Sequence, residues 1–577
     1  MYPLHDALTD ELRQELKAHD DFTAGLLARR GIRTGAEAET FLSPSYEAHI
    51  HDPLLILNLE KAAKRVASAL DTNEKIAVWS DYDCDGIPGG VILHDFLKKV
   101  GANFCNYIPH RHNEGYGVNI PGIEQLARDG VQLVITVDSG ITDLEAVARA
   151  KELGMDVIVT DHHLPGDILP DAFAVIDPKQ HGETYPFREL CGAGLAWKLV
   201  CAVLTVGFTG REAIPEGWEK WLLDMAGLAT IADMVPLTGE NRVIAKYGLL
   251  VMRKSPRLGL NRLCKVARVD QRKITEDDVA FMIAPRVNAA SRMGDPRDAF
   301  TLLTTTDETI ADTLAKKLEA VNRSRRAASG AITRAVHEKL AHRKETEEIP
   351  EVIVLGDPDW RPGLLGLVAS GIADEYERPV FLWGREGSQV LKGSCRGGPG
   401  GLHVVDLMTA AGDVLSEFGG HAAAGGFSLL PENVFQLEER FIQAFHTLPP
   451  PGGDDRFSRA DAHITPSEAT RELLSRLTRM APFGMSNPKP TFVMRGVLLQ
   501  KVSWFGKSEE HLRITITNAV DDFDEHAIEA IAFYATRELG SSVKLLTAGS
   551  TATILATLEQ DLFTRGQPVR LRLVAIT

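Results

Sequence analysis

The sequence predicts an α/β protein that ends in a β-barrel, on three observations. Short apolar runs alternate with helical stretches through residues 56–240, the pattern of a doubly wound parallel sheet. A second α/β pattern begins at Val352-Ile353-Val354-Leu355 and runs to about residue 447. After Pro449-Pro450-Pro451-Gly452-Gly453 the apolar residues alternate singly with polar ones. His511-Leu512-Arg513-Ile514-Thr515-Ile516-Thr517 and Val569-Arg570-Leu571-Arg572-Leu573 both read as half-buried strands.

In chain order, residues 1–55 read as a short helical preface. Residues 56–305 form the first α/β domain, with strands expected at 75–79, 104–108, 133–137, 156–160 and 174–176 and helices between them, for example 90–100 and 143–153. Residues 306–348 are charged and almost free of breakers, with Gly330 the only glycine in 307–345, which predicts one long exposed helix joining two lobes. Residues 349–448 form the second, glycine-rich α/β domain, and 455–577 the small barrel.

The 577 residues suit several domains, and 44% hydrophobic with 25% charged residues is ordinary for a soluble protein. No apolar run approaches the ~20 residues of a membrane helix. Met1-Tyr2-Pro3-Leu4-His5-Asp6 lacks the basic-then-apolar signature of a secretory signal. The six cysteines, at 84, 105, 191, 201, 264 and 395, form no Cys-x-x-Cys pair, so free thiols in a reducing cytoplasm are expected. A net charge of −16 argues against a surface coated for nucleic acid but leaves room for a local basic groove.

The chemistry concentrates where the predicted strands end. Asp81-Tyr82-Asp83-Cys84-Asp85-Gly86 follows Ile76-Ala77-Val78-Trp79, Asp138 closes Val134-Ile135-Thr136-Val137, and Asp161-His162-His163 follows Val157-Ile158-Val159-Thr160. Ligands of such sheets bind beyond the carboxyl ends of the strands. Acids converging there repel one another unless a cation joins them, and mixed carboxylate and imidazole donors suit manganese better than calcium. The spacing Asp81-x-Asp83-x-Asp85-Gly86 imitates a calcium-binding EF-hand loop, but position twelve is Ile92 instead of Glu. Asp233, in Ala232-Asp233-Met234-Val235-Pro236, is a lone acid in an apolar segment, to be read as a helix cap or a further ligand. Lys392-Gly393-Ser394-Cys395-Arg396 carries the parts of a phosphate clamp, and His421, among small neighbours, could serve alongside it. Arg111, Arg286 and Asn288 are further phosphate-binding candidates; each alone reads more readily as a structural salt bridge or hydrogen bond, and their combination with the acid cluster favours the functional reading.

Together these motifs resemble the DHH phosphoesterase superfamily, and within it the single-strand-specific exonucleases of bacteria. The resemblance runs through residues 81–86, Pro109–Gly117, Thr136–Gly140, Ile158–Pro165, Thr230–Leu237, Pro285–Arg292, Lys392–Arg396, Gly419–Gly426 and Pro482–Pro488. It implies a DHH-type parallel-sheet domain, a DHHA1-type second domain and an OB-like barrel. It also implies two Mn2+ or Mg2+ ions held by Asp83, Asp85, Asp138, His162 and Asp233, with Asp138 bridging and Asp81 supporting them. His163 would meet the scissile phosphate, and Arg111, Arg286, Asn288, Ser394, Arg396 and His421 would grip the strand, some of them at its 5′ end. The implied activity is in-line hydrolysis from the 5′ end of single-stranded DNA, with release of 5′-mononucleotides, in recombination and repair. A channel between the lobes would exclude a duplex, and Trp504, Phe505 and Phe563 would stack bases on the barrel. A single-strand-binding protein and a RecQ-type helicase are the implied partners.

The chain departs from the family pattern at Ile87-Pro88-Gly89-Gly90, Arg361, Gly371 and Gly397. Short RNA or cyclic dinucleotides would be an alternative substrate for the same metal chemistry, though such enzymes usually lack the barrel. A non-catalytic single-strand-binding scaffold would not need its acids.

Overall fold

The structure is a computed structural model that describes residues 2–577 except 112, 346–347, 386–389, 399–401, 422, 450–458, 507–508, 519–526, 562–563, 565 and 567. It divides into two compact units. One comprises residues 8–322 with 477–489. The other comprises residues 1–7, 323–476 and 490–577. No helix among the described residues is long and apolar enough to cross a membrane.

The first unit is built on a five-stranded, all-parallel sheet of β1 (Ile76–Ser80), β2 (Phe104–Tyr107), β3 (Leu133–Val137), β4 (Asp156–Thr160) and β5 (Ala174–Ile176), in the order β2-β1-β3-β4-β5. Both faces are covered. Ile76 and Val78 of β1 pack into one core with Val137 and Trp197, while Ala77 and Trp79 pack into another with Val134 and Val147. Burial on both sides explains why the strands read as unbroken apolar runs. The strand order reverses between β1 and β3, so the crevice beyond their carboxyl ends is the switch point where such sheets bind ligands.

Pro482–Pro488, inside the 455–577 span expected to form the barrel, packs instead with the sheet unit. The buried Arg242 guanidinium holds it, donating to the carbonyls of Met480 (2.9 Å), Ala481 (3.0 Å) and Pro482 (3.3 Å) and also to that of Phe41 (2.7 Å). Asn487 donates to Met480 and Pro482 and accepts from Arg30. A buried charge satisfied wholly by backbone carbonyls leaves no mark in a sequence pattern.

The helix Glu308–Lys344 runs from the first unit into the second. There, β6 (Ile353–Gly356), β7 (Val380–Gly384), β8 (Leu391–Arg396), β9 (Glu417–His421) and β10 (Ala424–Leu429) form a mixed sheet in the order β6-β7-β8-β10-β9, in which only β6 and β7 are parallel. The remaining strands are β11 (Ala462–His463), β12 (Phe492–Phe505), β13 (His511–Asn518), β14 (Ile528–Ala532), β15 (Thr551–Gln560) and β16 (Val569–Ile576). They run β11-β12-β13-β14-β16-β15, and β12 also pairs with β15. That second pairing closes a five-stranded barrel with OB-type connectivity.

Candidate metal centre

Each proposed ligand is carried to one place by the end of an element. The loop after β1 brings Asp81, Asp83 and Asp85 and runs into the helix Gly86–Lys99. Asp83 Oδ1 caps that helix, accepting the amides of Asp85 (2.8 Å) and Gly86 (3.2 Å). The Asp85 carboxylate is pinned by the amides of Gly192 (2.6 Å) and Ala193 (2.8 Å), at the start of the helix Gly192–Val206. Asp138, just past β3, sits at φ 61°, a left-handed backbone unusual for a non-glycine residue and of the kind stored at functional sites. Gly192 allows this approach, because a Cβ there would lie 2.6 Å from the Asp138 Cβ. Asp161, His162 and His163 follow β4, and Asp233 caps the helix Leu223–Ala232.

His162 Nε2 stands 3.2 Å from Asp138 Oδ1, 3.5 Å from Asp85 Oδ2 and 3.7 Å from Asp233 Oδ2. Among the described residues three overlapping groups of donor atoms, each within 4.8 Å, result: Asp85, His162 and Asp233; Asp138, His162 and His163; Asp81, Asp83 and Asp138. Asp138 belongs to two of them.

The electrostatics are those of a site built for cations. Burial, and then repulsion from neighbouring acids, pushes the carboxyls of Asp81, Asp138 and Asp233 well above the ordinary range and that of Asp85 up to about 6. Asp81 Oδ1 is buried with no hydrogen-bond partner. Carboxylates this close, with a buried oxygen left bare and an imidazole nitrogen facing them, fit a pair of divalent ions.

His163 is set apart. Its Nδ1 lies 2.7 Å from Asp161 Oδ1, which also takes the amides of His162 (2.8 Å) and His163 (3.2 Å), while Asp161 Oδ2 takes that of Ile141 (3.0 Å). Burial alone would raise Asp161, but these bonds and the His163 charge hold it below its usual value. Burial opposes a charge on His163, and the Asp161 partnership overrides it, raising the imidazole. Asp161 orients His163, a role the sequence motif left unassigned.

Arg111 places its guanidinium 5.0 Å from the centre of the Tyr82 ring. Asn288 Oδ1 accepts the Cys84 amide at 2.9 Å, bracing the acid loop. Arg286 is buried, donating to Glu319 (2.7 Å) and to the Met282 carbonyl (2.5 Å). Ser394, Arg396 and His421 lie in the second unit. Register aligns Arg396 with Ala424 and Ala424 with His421, one row across β8, β10 and β9. Arg396 donates to the Cys395 carbonyl at 2.7 Å. Trp504 and Phe505 are half-buried on β12, and Phe505 stands under the Arg513 guanidinium at 5.1 Å. Phe563 lies outside the described residues. Sequence reading overlooked Asp177, a fully buried carboxyl at the end of β5, next to Asp161 in the neighbouring strand, pushed up to about 7 by burial with Asp161 adding to it. Its only signal was its place after a strand.

A parallel sheet gathering these acids and histidines at its switch point is the arrangement of the DHH class of proteins. Three family models match: "DHH family, N-terminal domain" over residues 75–230, "DHHA1 domain" over 350–447 and "RecJ OB domain" over 460–575. The single-stranded-DNA-specific exonuclease RecJ of Bacillus subtilis is 36% identical over 507 residues, 87% of this chain, which spans 62% of that protein. RecJ of Escherichia coli is 32% identical over 506 residues, 85% of each chain. The crystal structure of Thermus thermophilus RecJ in complex with Mn2+ aligns over 100% of this chain and 79% of its own, with TM-score 0.81 and 26% identity. The chain belongs to the RecJ family.

Proposed function

We propose that the chain is a single-stranded-DNA-specific exonuclease that works from the 5′ end and releases 5′-mononucleotides. The observation that carries this reading is the convergence of Asp81, Asp83, Asp85, Asp138, His162 and Asp233 on one switch point, with a buried carboxylate oxygen left bare. Mn2+ or Mg2+ would be held there by Asp83, Asp85, Asp138, His162 and Asp233. When bound, the ions supply a nucleophile at neutral pH and charge stabilisation for phosphoryl transfer.

The chain's own groups do the rest. Asp161 keeps His163 oriented and favours its protonated form, the form that donates to a phosphate oxygen. Asn288 and Asp83 hold the acid loop in shape, and Asp81 stands behind it. Arg111, Ser394, Arg396 and His421 contact strand phosphates, while Arg286 steadies its segment through Glu319. Barrel residues Trp504 and Phe505 support bases further along the strand. The relatives named as single-stranded-DNA-specific exonucleases support this substrate. A cytoplasmic role in recombination and repair, beside a single-strand-binding protein and a RecQ-type helicase, follows from family membership and belongs to the same proposal.

The test is hydrolysis of single-stranded DNA labelled at either end, in Mn2+, with a duplex control. The 5′ label should appear at once as mononucleotide, the 3′ label should pass through shortening strands, and the duplex should survive. Asp138→Ala should abolish turnover while leaving strand binding. Cleavage of short RNA alone, or turnover that survives Asp138→Ala, would overturn the reading.

A further inference from the structure

A cavity of about 640 Å³ opens in the first unit, away from the metal centre. Its size and mainly apolar walls are those of a small-molecule site. Two helices separate it from the metal ligands. The helix Gly86–Lys99 starts just after Asp85 and brings Asp95, Lys98 and Lys99 to the cavity. The helix Leu223–Ala232 starts at the cavity with Asp224 and ends against Asp233. At about 1.5 Å per residue, their 14 and 10 residues set the two sites about 15–20 Å apart.

The lining is held in place and carries both an aromatic surface and spare positive charge. Trp218 packs on the main core, its ring 6.5 Å from that of Phe96, and so forms a fixed wall. Trp221 lines the same cavity but keeps 51% of its surface in solvent, which leaves its indole open to a ligand. On the buried side, the Arg257 guanidinium donates to both oxygens of Asp224 (3.0 and 3.2 Å), to Asp95 (2.9 Å) and to the Leu303 carbonyl (2.8 Å). The Ser255 hydroxyl donates to Asp224 at 2.7 Å. Both acids of the lining are thus engaged. Lys98 and Lys99 are exposed and form no ion pair among the described residues. Three cations against two acids leave the lining positive.

We propose that this cavity is a second ligand site, which takes a mononucleotide with its base on Trp221 and its phosphate on Lys98 and Lys99. An open indole selects a flat aromatic ring, and two ammonium groups beside it select an anion. A ligand that joins the two is an aromatic ring bearing a phosphate. The choice of a nucleotide among such ligands rests on the reading above that the chain releases 5′-mononucleotides, so that every strand cut delivers the ligand. Because both helices stand between the sites, the metal ligands take no part in holding it.

The experiment is isothermal titration calorimetry of the metal-free full chain with deoxyadenosine monophosphate, deoxyadenosine and inorganic phosphate as separate probes. The monophosphate should bind once per chain with a dissociation constant below about 1 mM. The nucleoside and the phosphate should each bind at least about tenfold more weakly. Trp221→Ala, and separately Lys98→Ala combined with Lys99→Ala, should each weaken the monophosphate about tenfold or more. All three side chains are exposed, so neither change removes a core contact. Asp138→Ala should bind it as wild type does. No binding of the monophosphate, which would leave the cavity to a protein partner, overturns the proposal. So does nucleoside or phosphate binding as tight as the monophosphate, or binding that both cavity variants leave unchanged or that Asp138→Ala removes. Failure of the exonuclease reading is seen separately: labelled single strands in Mn2+ then yield no mononucleotide, whatever the calorimetry gives.

Discussion

At the scale of single residues, acids after apolar runs were legible, because type and position carry the signal. What their neighbours do was not. Asn288 is a phosphate-ligand candidate by sequence, and its Oδ1 takes the Cys84 amide, a bond between residues 204 positions apart that no local pattern announces. Asp177 was invisible for the same reason. Its Oδ1 takes the Lys179 amide at 2.7 Å, and its Oδ2 is buried without a partner. With a folded-state value of about 7 against the ordinary 3.8 of an aspartate, the folded protein holds this proton more tightly than the unfolded chain does. The contribution to stability is thus fully present below about pH 4 and is lost as pH rises through 7. Asp177→Asn removes the titration. The variant should melt at a higher temperature than wild type at pH 8 and at about the same temperature at pH 4, read by thermal melts of both proteins without metal. A constant difference across pH would mean that Asp177 does not titrate in this window.

At the scale of elements, the five parallel strands fall within about a residue of the expected spans, since burial on both faces writes an apolar run directly into the sequence. The closing pair β12–β15 joins segments some sixty residues apart and has no local signature. The converging strand ends set the pH dependence of metal uptake. Asp85 is pushed up to about 6, and Asp81, Asp138 and Asp233 are raised as well, so protons compete with metal in the mildly acidic range. Calorimetric Mn2+ affinity should therefore rise from about pH 5.5 to about 7.5, with protons released to the buffer on binding. A flat profile would show that the acids are already ionised without metal. A separate prediction concerns Gly371, an exposed residue inside the helix Pro362–Tyr376, where a Cβ would meet nothing within 4 Å. Gly371→Ala should stabilise the protein by about 0.5–1 kcal/mol in denaturant unfolding, because it restricts the unfolded chain without straining the fold.

At the scale of the whole molecule, charge sets the terms on which a strand can bind. A chain with net charge −16 repels a polyanion at long range, so the strand must be met locally. Among the proposed phosphate contacts, the Arg286 guanidinium is already paired with Glu319, which leaves Arg111 and Arg396 as the arginines for the backbone. Two or three neutralised phosphates on a single strand correspond to a slope of log K against log salt of about −1.5 to −2, since each contributes about −0.7. Asp138→Ala, expected to bind without cutting, would allow the measurement by fluorescence anisotropy of a labelled oligothymidylate between about 50 and 300 mM salt. A slope of about −1.5 to −2, with Arg111→Ala making it shallower, would place most of the grip in a few fixed contacts, with stacking supplying the rest. A slope of about −5 or steeper would mean that lysines and arginines outside these motifs carry the strand, and the acidic average would then hide a basic track that neither composition nor motif exposes.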